Sequence, residues 1–306
     1  RQNNMFDCYK KEWNNIEKVE TYPHHLRNIV IIDADEFVDK IYDSTPEEAK
    51  KIVESIYAGD AYILKTKFDN KFVKNLKENV FQWSVKNKPC YYEMRNGCPN
   101  YHSLNNQKRG PQDGYETIEH SYVFFRWNGD TLKIFEPFEK YWEAIKVLSG
   151  NQPESFKKNI PTDGIIDRIT FLQYPIGYGH ISKHYDSPKK QKLLLGCVLT
   201  QIGKDYDYGE NGFYLVDKND KKIYLENLID AGDFICAYPA MYHGVPKVTK
   251  KNFKGHSSWD STVGRWYMQL YSPESHEVEN REYTTAIKDC AGHGPIANHI
   301  KEEIND

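Results

Sequence analysis

The chain has 306 residues, a formal net charge of -3, 39% hydrophobic and 14% aromatic residues, enough to fill a sizeable core in one large domain or two ordinary ones. Its basic residues are scattered in ones and threes rather than gathered on one face, which argues against nucleic acid as the primary partner. The longest apolar runs, 28–32 and 193–202, are strand-sized and fall far short of the roughly 20 residues that cross a bilayer, so no membrane span is expected.

Along the first half the pattern is mainly helical. Thr45-Pro46-Glu47-Glu48 reads as a capping box with proline at the first helical position, and Ala49, Ile52, Val53, Ile56 and Tyr57 follow at helical spacing. Residues 61–65 read as a strand. Phe72, Val73, Leu76, Val80 and Trp83 make a second amphipathic helix that should end before Pro89, and a third is expected from Pro137 to Gly150. Between them, 89–118 is rich in Asn, Gly, Pro, Tyr and His and reads as a long surface loop.

Near residue 160 the texture changes. Strands are expected at 165–174, 192–202, 212–216, 222–225, 233–238 and 264–272, with turns at 217–220 and 230–233. Six short strands with polar turns suggest a jelly roll. The fold class is therefore α+β, mainly β: a double-stranded β-helix core at 165–272, with helices of a 1–160 support region packed on it and a polar tail at 273–306 carrying a short terminal helix, all forming one catalytic domain.

Six widely spaced cysteines, Cys8, Cys90, Cys98, Cys197, Cys236 and Cys290, form no Cys-X-X-Cys pair, and the chain has no Asn-X-Ser/Thr acceptor. Both points favour a reducing, intracellular and cytoplasmic setting. The sequence opens on Arg1 without an apolar signal core, so an earlier targeting peptide stays open, as does the oligomeric state. Gly177-Tyr178-Gly179 lacks the third glycine of a dinucleotide loop, and no phosphate loop is present.

The chemistry concentrates in His184-Tyr185-Asp186, His243 within Tyr-His-Gly-Val-Pro-Lys-Val, and Arg265 within Gly-Arg-Trp-Tyr. On a strand, side chains repeat with period two, so His184 and Asp186 share a face while Tyr185 points away. Two imidazoles and one carboxylate can hold one face of an octahedral iron and leave three positions open. His-X-Asp is a weak motif alone and arises by chance in a chain with 11 histidines. Its weight comes from the ordered set of strand, His-X-Asp, further strands, distal histidine and closing-strand arginine.

Over about 165–272, that order resembles the Fe(II)/2-oxoglutarate-dependent dioxygenases, in their prolyl-hydroxylase-like branch. Tyr174-Pro175 and the following glycines, Asn211-Gly212-Phe213-Tyr214-Leu215, Ala231-Gly232-Asp233-Phe234 and His243-Gly244-Val245-Pro246-Lys247-Val248 match stretches of that family in sequence order. The resemblance implies that His184, Asp186 and His243 bind Fe(II), and that Arg265, Tyr174 and Thr200 bind 2-oxoglutarate. Arg265 would pair with the distal carboxylate. The implied reaction consumes O2 and 2-oxoglutarate to oxidise an unactivated C–H bond, by hydroxylation, desaturation or ring closure of the kind seen in kainoid synthases.

Asp186 disfavours the related halogenases, which lack the carboxylate. A small, amino-acid-derived metabolite is the expected substrate; a prolyl- or lysyl-type protein side-chain hydroxylase and a non-catalytic cupin-like binding module are the alternatives. Two departures stand out: Arg265 lies 22 residues after His243, and Tyr267 stands where many relatives carry a small hydroxyl residue. The extra spacing coincides with 249–262, expected to be an insertion covering the site or a disordered surface loop. Lys247 is the substitute anchor should Arg265 be structural. His180 and the pair His24-His25 are expected to lie outside the metal set, the latter exposed.

Overall fold

In the computed structural model, residues 5–18, 23–105, 116–158 and 163–281 are described, together with the backbone of strand 285–286. The helices are α1 (Met5–Ile16), α2 (Ala34–Asp43), α3 (Pro46–Tyr57), α4 (Asn70–Val85) and α5 (Glu139–Leu148). The strands are β1 (Asn28–Asp33), β2 (Asp60–Lys65), β3 (Tyr101–Asn105), β4 (Thr117–Phe125), β5 (Arg168–Tyr174), β6 (His180–Tyr185) and β7 (Leu194–Val198), then β8 (Tyr214–Val216), β9 (Lys222–Tyr224), β10 (Phe234–Ala237), β11 (His243–Val245), β12 (Arg265–Tyr271) and β13 (Thr285–Ala286).

Two curved layers result. The larger runs β1-β2-β10-β7-β12-β5-β4, with β3 on the outer edge of β4, and the smaller runs β4-β6-β11-β8-β9, with β13 beside β6. Strand β4 belongs to both: His120–Phe125 pairs with β5, while Thr117 and Ile118 pair with β6. On the opposite side Leu26 bridges to Asp217, and Arg27 donates to the Gly59 carbonyl ahead of β2. The layers are thus joined along both edges, giving the double-stranded β-helix, or jelly roll, that the short-strand pattern predicts.

Local chemistry explains the helices. Thr45 and Glu48 close the capping box, with Glu48 N donating to Thr45 Oγ1 at 3.2 Å and Thr45 N to Glu48 Oε2 at 2.7 Å. Asp33 and Asp69 cap α2 and α4 through backbone N–H groups at 2.7–3.1 Å, which satisfies donors that have no partner within the helix. The apolar stripes of α1, α2, α3 and α5 join one core with β2, β7 and β10, built around Trp13, Phe37, Ile56 and Trp142. No helix among the described residues is long and apolar enough to cross a membrane.

One buried ion pair ties this layer to the barrel. Lys146 Nζ on α5 lies 2.7 Å from Asp167 Oδ2, both side chains at 0% exposure, and Arg126 Nη2 reaches the same oxygen at 2.7 Å. Ser272 Oγ donates to Asp167 Oδ1 at 2.8 Å. Both oxygens of the carboxylate are satisfied, as a buried charge requires.

The N-terminal region is richer in strand than its sequence suggests. The expected loop at 89–118 contains β3 and leads into β4, and β1 and β2 extend the larger sheet. Strand β4 is buried at all nine positions, so it lacks the alternation that marks a half-exposed strand. Helices α1 and α2 were also not anticipated. His24 and His25 are half-buried rather than exposed, His24 Nδ1 meeting the Ala240 carbonyl at 2.6 Å. The expected terminal helix and Cys290 lie outside the described residues.

Candidate functional site

Strand β6 carries His184 and β11 carries His243, and their antiparallel register sets the two residues directly opposite each other. Asp186 follows β6, where its N–H donates to the Pro239 carbonyl at 2.9 Å. His243 Nε2 lies 3.2 Å and His184 Nε2 3.9 Å from Asp186 Oδ2. The three are the one His/Cys/Asp/Glu group among the described residues with donor atoms within 4.8 Å of one another. Tyr185 turns away from the cluster and packs its ring near His24 and Tyr242.

Both imidazoles are prepared in the same way. His184 Nδ1 donates to the Ser182 carbonyl and His243 Nδ1 to the Met241 carbonyl, each at 2.7 Å. A carbonyl only accepts, so each Nδ1 carries the proton and each Nε2 keeps its lone pair for a cation. Burial, reinforced by His243, lowers the His184 pKa to about 4 although Asp186 pulls the other way. Two neutral ring nitrogens, one carboxylate oxygen and an opening onto a cavity fit a facial iron site.

That cavity, about 630 Å3, is lined on one wall by Arg168, Thr170, Leu172 and Tyr174 of β5. The adjoining wall is Arg265, Tyr267, Gln269 and Tyr271 of β12, and His184, Asp186 and His243 open onto the same space. Alternate residues face inward, as strand geometry dictates. The register sets Arg265 opposite Tyr174, so the arginine lines the same cavity as His243 despite its distance from it in sequence.

The environment of Arg265 was not foreseen. Its side chain is 1% exposed and pairs with Glu226, also 1% exposed: Nη2 to Oε2 at 2.8 Å, Nε to Oε1 at 2.9 Å and Nε to Oε2 at 3.0 Å. Glu226 also accepts from the Tyr206 hydroxyl and the Phe213 N–H. Burial opposes the Arg265 charge, yet Glu226 holds its pKa above the ordinary value. Nη1 is buried without a hydrogen-bond partner among the described residues. The guanidinium lies 5.2 Å from the ring centroids of both Tyr174 and Tyr267. A cation lining a cavity with a donor to spare fits a carboxylate ligand.

Tyr174 is deeply buried, and burial raises its phenol well above the usual range, with Glu119 pushing the same way and Arg265 opposing. Tyr267 is accommodated because it packs on Gly196 of β7, where any Cβ would overlap its ring. Thr200 is not brought into the cavity lining; its buried hydroxyl accepts from the Trp266 N–H at 3.2 Å. His180 stays outside the cluster with Nδ1 on the Tyr178 carbonyl at 2.9 Å, and Lys247 is exposed and does not line the cavity.

The 249–262 segment is neither a cover nor an unstructured excursion. It docks on the turn after β5, where Ile176 N donates to Ser257 Oγ at 2.7 Å, Tyr178 Oη to the Ser257 carbonyl at 2.9 Å and Gln173 Nε2 to the Ser261 carbonyl at 2.6 Å. None of its residues lines the cavity. Glu226 was missed because its only sequence signal is a lone acid in the apolar run Tyr224-Leu225-Glu226-Asn227-Leu228-Ile229.

No protein-family model and no curated protein matches the chain. Among solved structures, it is similar to a full-length Neurospora crassa protein in complex with alpha-KG, with a TM-score of 0.47 and 14% identity over 80% of this chain and 85% of that one. It is also similar to a Pseudomonas putida prolyl-4-hydroxylase, with a TM-score of 0.44 and 9% identity over 73% and 98% of the two chains. A third similar structure is JOX2 in complex with 2OG, Fe and JA, with a TM-score of 0.43 and 12% identity over 88% and 85%.

Proposed function

We propose that this chain is an Fe(II)- and 2-oxoglutarate-dependent dioxygenase that oxidises a C–H bond of a small metabolite. The observation that carries the reading is one cavity onto which both the His184/Asp186/His243 cluster and the Arg265 guanidinium open. Iron with 2-oxoglutarate and O2 supplies oxidation of an unreactive C–H bond, coupled to conversion of the co-substrate to succinate and carbon dioxide.

The chain's own residues supply position and dryness. His184 and His243 present Nε2 because their Nδ1 protons are committed to backbone carbonyls. Asp186 contributes charge, which favours a divalent cation over the two neutral rings alone. Arg265 holds the distal carboxylate of the co-substrate through Nη1, the donor that Glu226 leaves unbonded, while Glu226 prevents the guanidinium from swinging. Tyr174 and Tyr267 flank that cation and exclude water from it.

A cavity of about 630 Å3 lies in the range for small-molecule pockets and supports a metabolite over a protein side chain as substrate. The test is anaerobic addition of Fe(II) and 2-oxoglutarate to the protein, following the weak visible metal-to-ligand charge-transfer band. The band is expected with wild type and absent from His184→Ala. Its absence from wild type, or its persistence in His184→Ala, refutes the assignment.

A further inference from the structure

The larger layer presents one uncharged row to the cavity. The register runs it across five strands: Tyr101 of β3 stands opposite Val123 of β4, Val123 opposite Thr170 of β5, Thr170 opposite Gln269 of β12, and Gln269 opposite Gly196 of β7. Tyr101, Val123, Thr170 and Gln269 all line the cavity. Gln269 stands four positions beyond Arg265 on β12, roughly 13 Å at a rise of about 3.3 Å per residue, a distance that a five-carbon co-substrate held at Arg265 does not span. The row therefore belongs to the part of the cavity left for the substrate.

Its polar members are uncommitted. Thr170 is 8% exposed, and its hydroxyl is buried with no hydrogen-bond partner among the described residues, a state that costs stability until a ligand supplies one. The Gln269 amide likewise makes no side-chain hydrogen bond among the described residues. At the end of the row Gly196 leaves its side-chain space to the Tyr267 hydroxyl, which brings a third polar group to the level of Gln269.

On the dioxygenase reading, we infer that Thr170 and Gln269 are the specificity-determining pair of the substrate site and that the substrate is a neutral lactam or primary carboxamide joined to an apolar body. A side-chain amide offers a donor and an acceptor side by side, and the C=O and N–H on one edge of such a substrate meet them with two hydrogen bonds. The Thr170 hydroxyl adds a third, to the second lone pair of the substrate carbonyl. A carboxylate, an ester or an N-methyl amide has no N–H for the Gln269 oxygen and leaves it unmet in a closed site. Tyr101 and Val123, at the other end of the row, face the apolar body. Charge returns at Arg168, two positions along β5 from Thr170, so an acid and an amide would be held by different residues.

The test measures binding to the full chain, without added metal or co-substrate, by ligand-observed NMR. The probes are alkyl- and aryl-substituted lactams and primary carboxamides, each beside its lactone or ester, its N-methyl form and its carboxylic acid. Wild type is expected to bind at least one amide about tenfold more tightly than all three counterparts. That preference falls to near unity in Gln269→Leu, and affinity for the amide falls several-fold in Thr170→Val, which keeps the shape of the side chain. A wild type that shows no amide preference, or favours the acid, overturns the inference, as does a preference that survives in a Gln269→Leu protein with a native circular dichroism spectrum. Should Gln269→Leu fail to fold, Thr170→Val decides, and an unaltered amide affinity there overturns the inference. The charge-transfer band reports on iron and 2-oxoglutarate, and the amide preference is read in their absence, so the two readings fail separately.

Discussion

Replacing Glu226 by glutamine keeps the shape of the side chain and removes the charge that faces a fully buried Arg265. The wild-type carboxylate accepts from Arg265 Nε, the Tyr206 hydroxyl and the Phe213 N–H, and is ion-paired with Arg265 Nη2 at 2.8 Å. All four are donors. The glutamine NH2 is itself a donor, so whichever way the amide turns it opposes at least one of them, and the arginine loses its counter-charge. Stripping one partner from a buried pair costs about 3–5 kcal/mol, equivalent to roughly 5–15 °C in a protein of this size. Thermal and urea unfolding of the metal-free protein measure it, with Arg265→Met and the double variant completing a cycle. The double variant, which leaves no isolated charge, is expected to be more stable than Glu226→Gln alone. A Glu226→Gln protein within about 0.5 kcal/mol of wild type, or a double variant whose losses simply add, refutes the claim that this pair is desolvated and coupled.

Asp167→Ala leaves Lys146 buried without its counter-ion and should cost about 3–5 kcal/mol, read from the urea midpoint; a loss under about 1 kcal/mol would show that the pair is not desolvated. Thr45→Ala removes one half of the α3 capping box and should cost about 1 kcal/mol, read from the urea midpoint. Burial, assisted by His102, lowers the His120 pKa from 6.5 to about 3, and burial lowers that of His184 from 6.5 to about 4. Both are depressed in the folded state, so their stability contribution is complete above pH 6.5 and is lost as pH falls toward those values. Each costs about 2 kcal/mol by pH 5 in the metal-free protein. His120→Gln should remove about half of this acid slope, measured by urea unfolding at a series of pH values; an unchanged slope would contradict the neutral, buried ring.

Much of the molecule was legible because the signals are local. Thr45 to Tyr57, Asn70 to Val85 and the helix after Pro137 announce themselves through caps and apolar spacing. Most strands after 165 were placed to within a few residues by short apolar runs and turns. The face of β5 could be read further than it was, since period two puts Arg168 on the same side as Tyr174. Where local signals failed, burial had erased them: β4 is covered on both faces, and a strand with no polar face resembles any other apolar or mixed stretch.

The sequence by itself determined the ligand types, His184 and Asp186 at a spacing that a strand places on one face, and a later histidine and arginine. Only the tertiary structure decided that β11 lies beside β6, so that His243 meets His184, and that β12 meets β5, so that Arg265 meets Tyr174. It also decided that Arg265 is paired with Glu226, that Thr200 does not line the cavity, and that 249–262 docks on the β5 turn instead of lining that cavity. These are pairings between residues as many as 103 positions apart, as Tyr271 is from Arg168. Their register follows from how whole sheets bury their inward faces, a collective condition that no short stretch of chain records.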